Sequence, residues 1–123
     1  MAIENALGCI TRPAGADLSA VQYQFVKQNS SGQAVVCSVA GEKALGVLQN
    51  NPTSGQSATV AYEGITKVQA AATIVPGNDI ATNAAGKAVV ALTTNKILGE
   101  CISGGATGEI ISILIRNGAA AAP

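Results

Sequence analysis

A nine-residue phrase occurs twice in this chain, and the repetition limits the folds open to it. Residues 28–36 read QNSSGQAVV and residues 82–90 read TNAAGKAVV, a displacement of 54 residues. In each copy an Asn opens a turn and a Gly takes the left-handed position, which predicts a β-hairpin. The identical residues are Asn29, Gly32, Ala34, Val35 and Val36, which match Asn83, Gly86, Ala88, Val89 and Val90.

The likeness continues downstream after the loss of one residue. At a displacement of 53, the matches are Lys43, Leu45, Gly46 and Gly55 with Lys96, Leu98, Gly99 and Gly108. We interpret the pattern as an internal duplication that produces two related β-units, about residues 21–66 and 75–118, which close on each other. Coincidence among the abundant Ala, Gly and Val residues is the alternative.

Strand-like runs separated by turn residues fill the rest of the chain. VQYQFVK (21–27) and SATVAY (57–62) alternate with a period of two, and EIISILI (109–115) is apolar on both faces. The pattern predicts an all-β fold, a small β-barrel or β-tulip-like domain built from the two units. We assign residues 1–16 to an extended N-terminal arm, 17–118 to a single all-β domain and 119–123 to a flexible tail.

Charge and hydropathy argue against several classes of partner. Seven Lys and Arg residues balance seven Asp and Glu residues, and no basic run is present to neutralise phosphates, so nucleic-acid binding is not expected. No apolar stretch approaches the ~18 residues of a membrane-spanning helix, so no membrane partner is expected. Residues 1–15 lack the basic and apolar regions of a secretory signal, which predicts synthesis in a cytoplasm.

Catalytic, cofactor-binding and metal sites are not expected either. The chain has no His, and Cys9, Cys37 and Cys101 lack metal-ligand spacing, so we interpret the last two as small buried apolar residues. The acidic residues are scattered beside predicted turns. The segment AAGKA (84–88) lacks the first glycine and the Ser or Thr of a phosphate loop, and a strand follows it. We therefore predict that the protein is not an enzyme.

The order of several phrases resembles the capsid cement, or head decoration, proteins of tailed bacteriophages. The phrases are DLSAVQYQFVK, SGQAVV, KALGVLQNNPTSGQSATVAYEGITKV, IVPGNDIATNAAGKAVV and ILGECISGGATGEIISILI, from about residue 17 to residue 115. The resemblance implies a small all-β structural protein that attaches to the outside of an assembled head and reinforces it. It also implies the major capsid protein as partner, a homotrimer on the capsid, and a virion location after synthesis in the host bacterial cytoplasm.

A β-rich carbohydrate-binding or adhesin module of a phage fibre or cell-surface assembly is the alternative function. Such modules usually present exposed aromatic side chains to sugars. The chain has only Tyr23, Phe25 and Tyr62, and two of them fall on one predicted strand face. This composition favours the capsid protein.

The N-terminal arm is the predicted capsid contact. Its candidate residues are Ile3, Leu7, Ile10 and Arg12, and Pro13 and Gly15 separate them from the domain. An apolar arm of this kind orders when it adds to the sheet edge of a partner. The alternative is that the segment covers the open end of the protein's own barrel.

Overall fold

The computed structural model describes residues 5–116, with side chains from Gly8 onward. Within these residues there are nine β-strands and no helix. The strands are β1 (Asn5–Pro13), β2 (Phe25–Gln28), β3 (Ala34–Val36), β4 (Gly46–Leu48), β5 (Ser57–Gln69), β6 (Asp79–Thr82), β7 (Ala88–Val90), β8 (Gly99–Ser103) and β9 (Ile110–Ile115). The predicted all-β, barrel-like fold is confirmed.

All nine strands belong to one curled antiparallel sheet. Its order is β3-β2-β4-β5-β9-β8-β6-β7, and β1 pairs with β5 off this path. β5 is the longest strand, at 13 residues, and it joins the two halves of the sheet. The chain therefore crosses from one half to the other without a turn.

The strand pairing of the first half is repeated in the second. β2 pairs with β3 and β4 as β6 pairs with β7 and β8, and β4 pairs with β5 as β8 pairs with β9. Val26 lies opposite Val36, and their counterparts Ile80 and Val90 lie opposite each other. The same holds for Leu48 with Val60 and for Cys101 with Ile113. The paired residues of the two units are thus related by the same two displacements as the repeated phrases of the sequence.

β1 corrects the prediction of a free arm over residues 5–13. It pairs antiparallel with β5, from Asn5 opposite Ile65 to Pro13 opposite Ser57. The register shifts between Ala6 and Gly8 and again between Gly8 and Cys9. A β-bulge of this kind adds a residue and breaks the period of two, which is why the sequence did not indicate a strand here.

β1 also belongs to the repeat. Arg12 lies opposite Ala58 in the β1–β5 pair, and Val68 lies opposite Ile111 in the β5–β9 pair. Each unit therefore has five strands. The first unit, residues 8–61, takes most of β1, all of β2–β4 and the start of β5. The second unit, residues 64–116, takes the end of β5 and β6–β9. The displacement in this stretch is 56 residues, and almost no residue is identical, so the sequence comparison missed it.

The strand predicted over 21–27 begins late. Tyr23 has a φ of 64°, a left-handed conformation that an extended strand does not accommodate, so β2 starts only at Phe25. The Tyr23 N–H donates to the Leu48 carbonyl at 2.8 Å, and the Gly77 N–H donates to the Cys101 carbonyl at 2.9 Å. Tyr23 therefore occupies the place that Gly77, with a φ of 93°, has in the second unit.

Each unit has its own apolar core, and the two cores use equivalent positions. In the first unit the core consists of Ala14, Leu18, Val26, Ala34, Leu48, Ala58 and Val60. In the second unit the counterparts are Ala70, Ile74, Ile80, Ala88, Cys101, Ile111 and Ile113. The second cluster also takes in Phe25, Cys37, Ala44 and Val47 of the first unit, so it extends across the contact between the units.

The repeated phrase forms the same hairpin twice. The Asn29 Oδ1 accepts the N–H groups of Ser31 and Gln33, both within 3.0 Å. The Asn83 Oδ1 accepts those of Ala85 and Lys87 at 2.9 Å. Gly32 and Gly86 have φ values of 78° and 82°, the left-handed conformation that Gly adopts most readily. The predicted roles of Asn and Gly in these turns are confirmed.

Candidate functional site

Three of the four residues predicted to bind a capsid lie in β1. Ile3 lies outside the described residues, and Leu7 lies in β1 with a side chain that is also outside them. Ile10 lies in β1 and is 38% exposed. The Arg12 Nε donates to the Gly32 carbonyl at 2.8 Å, so Arg12 fastens β1 to the β2–β3 hairpin. Only Ile10 and Arg12 therefore have a described side-chain environment.

An open groove of about 550 Å³ lies beside the β3–β4 loop and is lined by charged residues that the sequence did not single out. The Lys27 Nζ lies 3.0 Å from Glu42 Oε1. The Glu42 Oε2 accepts the N–H groups of Ser38 and Val39 at 2.7 and 2.9 Å. These bonds join Glu42 to the beginning of the β3–β4 loop, so the Glu42 carboxylate stabilises the conformation of that loop.

The environment of Glu42 lowers its pKa below the ordinary 4.5. Burial by itself raises the pKa, but the hydrogen bonds from the Val39 N–H, Lys27 and the Ser38 N–H favour the charged form more strongly. Glu42 therefore stabilises the fold while ionised, and this contribution is lost as the pH falls through its pKa in the folded protein.

We expect Glu42→Gln to be less stable than the unmodified protein at pH 7, by about 1 kcal/mol. The difference in the free energy of unfolding should shrink as the pH falls below 4.5 towards the folded pKa. Urea denaturation at pH 7 and at pH 3 measures both values, and the exposed Glu63→Gln is the control. A difference that persists unchanged at pH 3 would contradict the role of the Glu42 charge.

Two of the three cysteines are buried. Cys37 is 0% exposed and Cys101 is 1% exposed, whereas Cys9 is on the surface. Burial, with a smaller contribution from the Glu42 charge, raises the pKa of Cys37 to about 12. Burial, together with Glu100, also raises the pKa of Cys101. Both thiols therefore pack as apolar side chains, as predicted.

The accessible thiol content follows from this arrangement. We expect Ellman's reagent to label one thiol per folded chain, Cys9, and all three after unfolding in guanidinium, because buried protonated thiols are poor nucleophiles. Cys9→Ala should abolish the rapid labelling. Prompt labelling of more than one thiol in the folded protein would contradict the burial of Cys37 and Cys101.

The described residues contain no convergent polar group of the kind that binds a metal. No cluster of three or more His, Cys, Asp or Glu side chains occurs among residues 5–116. In the same residues, every buried side-chain nitrogen and oxygen has a hydrogen-bond partner. No helix in this part of the chain has the length and apolar character needed to cross a membrane.

The aromatic residues are distributed over different environments. Phe25 is buried, and the Lys67 Nζ lies 6.0 Å from the centre of the half-buried Tyr23 ring. Tyr62 is 38% exposed and covers Gly8, where an added Cβ would meet its Cζ at 2.9 Å. No two exposed aromatic rings in residues 8–116 form a platform for a sugar.

Comparison with known proteins first defines the class of fold. No family model and no curated protein matches the chain. Among solved structures, a β-rich phage protein has the same architecture: the N base of the head fibre gp8.5 of bacteriophage phi29. The TM-score is 0.71, the identity is 15%, and the match covers 89% of this chain and 93% of that one. At this identity, the likeness establishes a shared fold.

Proposed function

We propose that the chain is a structural protein of a phage virion that binds the outer surface of the capsid. The observation that carries the proposal is the fold shared with the base of the phi29 head fibre over 89% of this chain. The order of phrases along the sequence, which resembles head decoration proteins, supports the same location independently. Stabilisation of the head shell, rather than catalysis, is the role we propose.

The proposed partner is the major capsid protein, and the proposed state on the capsid is a homotrimer. The chain has few large apolar side chains, and eight of those in the described residues are exposed. Burying such side chains against a neighbour would stabilise the assembly by ~25 cal/mol per Å² of apolar surface. For the capsid contact we keep the start of the chain, with Ile3 and Leu7, because Arg12 donates to the Gly32 carbonyl inside the fold and Ile10 lies in the paired part of β1.

Co-sedimentation with phage heads tests the proposal. Purified protein is mixed with heads from a phage that lacks its gene, and the heads are pelleted. We expect saturable binding with a fixed number of copies per head, and greater resistance of the decorated heads to heating or to chelating agents. Absence of binding to intact heads would overturn the proposed function. Ile3→Asp should weaken binding, with Val39→Asp, at an exposed loop position, as the matched control.

A head-fibre base is a second candidate, and the named phi29 structure favours it specifically. A cement protein covers the lattice at many sites, whereas a fibre base projects a further structure away from the shell. Electron microscopy of decorated heads separates the two. Compact density confined to the shell surface supports the cement protein, and density that extends outward as a fibre supports the base.

A further inference from the structure

The two units contact each other through different surfaces. The first unit offers what we call its receiving surface: Phe25, Val36, Gly41 and Gln49. The second unit offers what we call its docking surface: Thr66, Val68, Thr82 and Gly86. Three hydrogen bonds join the surfaces: Phe25 N–H to Gly86 O at 2.6 Å, Gly41 N–H to Thr82 O at 2.8 Å and Gln49 Nε2 to Thr66 Oγ1 at 2.8 Å.

The contact is not symmetric. A two-fold arrangement would repeat each of these bonds with the units exchanged, for example from the Asp79 N–H to the Gly32 carbonyl. Instead, the Gly32 carbonyl accepts from Arg12, and an added Cβ on Gly32 would meet Arg12 and Gln28. The interface is therefore head to tail, and each unit has one surface of each kind.

One receiving surface and one docking surface consequently stay uncovered. On the docking side, Thr66, Val68 and Thr82 are 0% exposed. Their counterparts in the first unit are Ile10, 38% exposed, the half-buried Arg12 and the exposed Gln28. On the receiving side, Phe25 is 1% exposed, whereas its counterpart Asp79 is exposed.

Two further apolar residues lie exposed on the uncovered receiving surface. Val90 takes the place of Val36, and Ile102 takes the place of Gln49; each is 37% exposed. With Ile10, they are three of the eight large apolar residues exposed in the described part of the chain. The receiving surface is thus covered in the first unit, whereas in the second unit it is exposed and partly apolar.

The two uncovered surfaces complement each other. Phe25 and Val68 belong to one buried cluster inside the chain, and their counterparts are the acidic Asp79 and the basic Arg12. Gln49 and Thr66 form a hydrogen bond inside the chain, and their counterparts are the apolar Ile102 and Ile10. Two apolar positions of the buried cluster are thus replaced by opposite charges, and a hydrogen-bonded polar pair is replaced by two apolar residues. The Asp79 carboxylate makes no hydrogen bond or ion pair with any described residue.

We propose that copies of the chain associate head to tail, with the docking surface of the first unit of one copy on the receiving surface of the second unit of the next. Arg12 then meets Asp79, and Ile10 meets Ile102. The bonds inside the chain that depend on Gln49 and Gln69 are not repeated, because Ile102 replaces Gln49 and Pro13, which replaces Gln69, has neither an N–H nor a side-chain amide.

A head-to-tail contact closes into a ring when its rotation allows it. In the trimer proposed above, three copies would place six units around one axis, and contacts inside a chain would alternate with contacts between chains. Only the number of copies rests on the proposed function. The contact itself rests on the repeat, and it gives Ile10 and Arg12 a role between copies instead of on the capsid.

A charge exchange tests the contact in solution, without heads. Light scattering and sedimentation measure the association of the unmodified protein, Arg12→Asp, Asp79→Arg and the double variant. Each single variant should associate about tenfold more weakly or worse, because like charges then oppose each other across the contact. The double variant should recover most of the association. Single variants that associate normally, or a double variant as weak as either, would overturn the proposal.

A cross-link tests the geometry even where Arg12→Asp disturbs folding through the loss of its bond to Gly32. In a Cys9→Ala background, Ile10→Cys with Ile102→Cys should form disulfides between copies under mild oxidation, producing covalent oligomers on a non-reducing gel. The matched control replaces Ile102→Cys by Ile110→Cys, because Ile110 is 39% exposed and lies outside both surfaces. Equal cross-linking in the control, or none in the test pair, would contradict the interface.

The outcomes separate this inference from the proposed function. A chain that is monomeric in solution and on the lattice, yet co-sediments with heads, overturns the interface and leaves the capsid assignment intact. A chain that associates through Arg12 and Asp79 but fails to bind heads overturns the capsid assignment and leaves the interface intact.

Discussion

Deletion of residues 2–12 is expected to unfold the domain or to lower its melting temperature by more than about 10 °C. The deletion removes nearly all of β1, which pairs with β5 from Ser57 to Ile65. The backbone groups of β5 that face β1 would lose their partners, and Ala58 and Val60, both 0% exposed, would lose part of their cover. It would also remove the Arg12 bond that holds the β2–β3 hairpin.

Deletion of residues 2–4 is the matched control, because it leaves residues 5–13 of β1 in place. Thermal unfolding followed by circular dichroism measures both variants. The control should melt close to the unmodified protein. If the longer deletion also melted there, β1 would contribute nothing to the fold, and the free arm expected from the sequence would be the better description of residues 5–13.

Gly46→Ala is expected to destabilise the protein by about 2–3 kcal/mol, because the new Cβ would collide with a backbone that has no room to move. The Cβ would overlap the Ala61 carbonyl oxygen of the neighbouring strand and meet Val60 Cγ1 at 2.8 Å. In the second unit, a Cβ at the equivalent Gly99 would meet the Leu114 carbonyl at 2.7 Å. Gly99→Ala should therefore be destabilising too, but less so.

Urea denaturation of both variants measures these costs, and Gly55→Asn is the control. Gly55 has a φ of 85° and open space around its Cα, and Asn tolerates this conformation better than other non-Gly residues. Gly55→Asn should lose only about 1 kcal/mol, the low end of the cost of a left-handed conformation. A Gly46→Ala variant as stable as the control would contradict the close approach of β4 to β5.

The repeated turns and the Leu-Gly pairs were predictable because backbone geometry dictates the residue there. Gly32 and Gly86 need left-handed φ values, and Gly46 and Gly99 lie where a neighbouring strand leaves no space for a Cβ. Such residues are identical in both units, while apolar core positions differ, as Leu48 and Cys101 do. The sequence therefore displays the turns of the repeat more clearly than its core.

The equivalence of β1 with the end of β5, and the contact between the units, were not predictable in the same way. β1 and the end of β5 are equivalent strands, yet one ends in Arg12 and Pro13 and the other in Val68 and Gln69, because one lies on an outer surface and the other is covered. The charged Lys27–Glu42 pair has no sequence pattern either, since it joins residues of β2 and the following loop through the fold.

The equivalent positions at which the two units carry different residues are the most informative part of the candidate site. Phe25 and Asp79 occupy one position in two units, and only their different surroundings explain why one is aromatic and the other acidic. Sequence comparison alone registers such a pair as a mismatch. Once the strands of the two units are aligned, the difference between Phe25 and Asp79 distinguishes the interface inside the chain from the surface left open to a second copy.

Cryo-electron microscopy of phage heads assembled with and without this protein tests the proposed function most directly. We predict density on the outer surface of the shell that is present only with the protein and that fits the nine-stranded fold, with β1 paired to β5. Identical maps of the two kinds of head, or protein-dependent density inside the shell, would contradict a structural protein of the outer capsid surface.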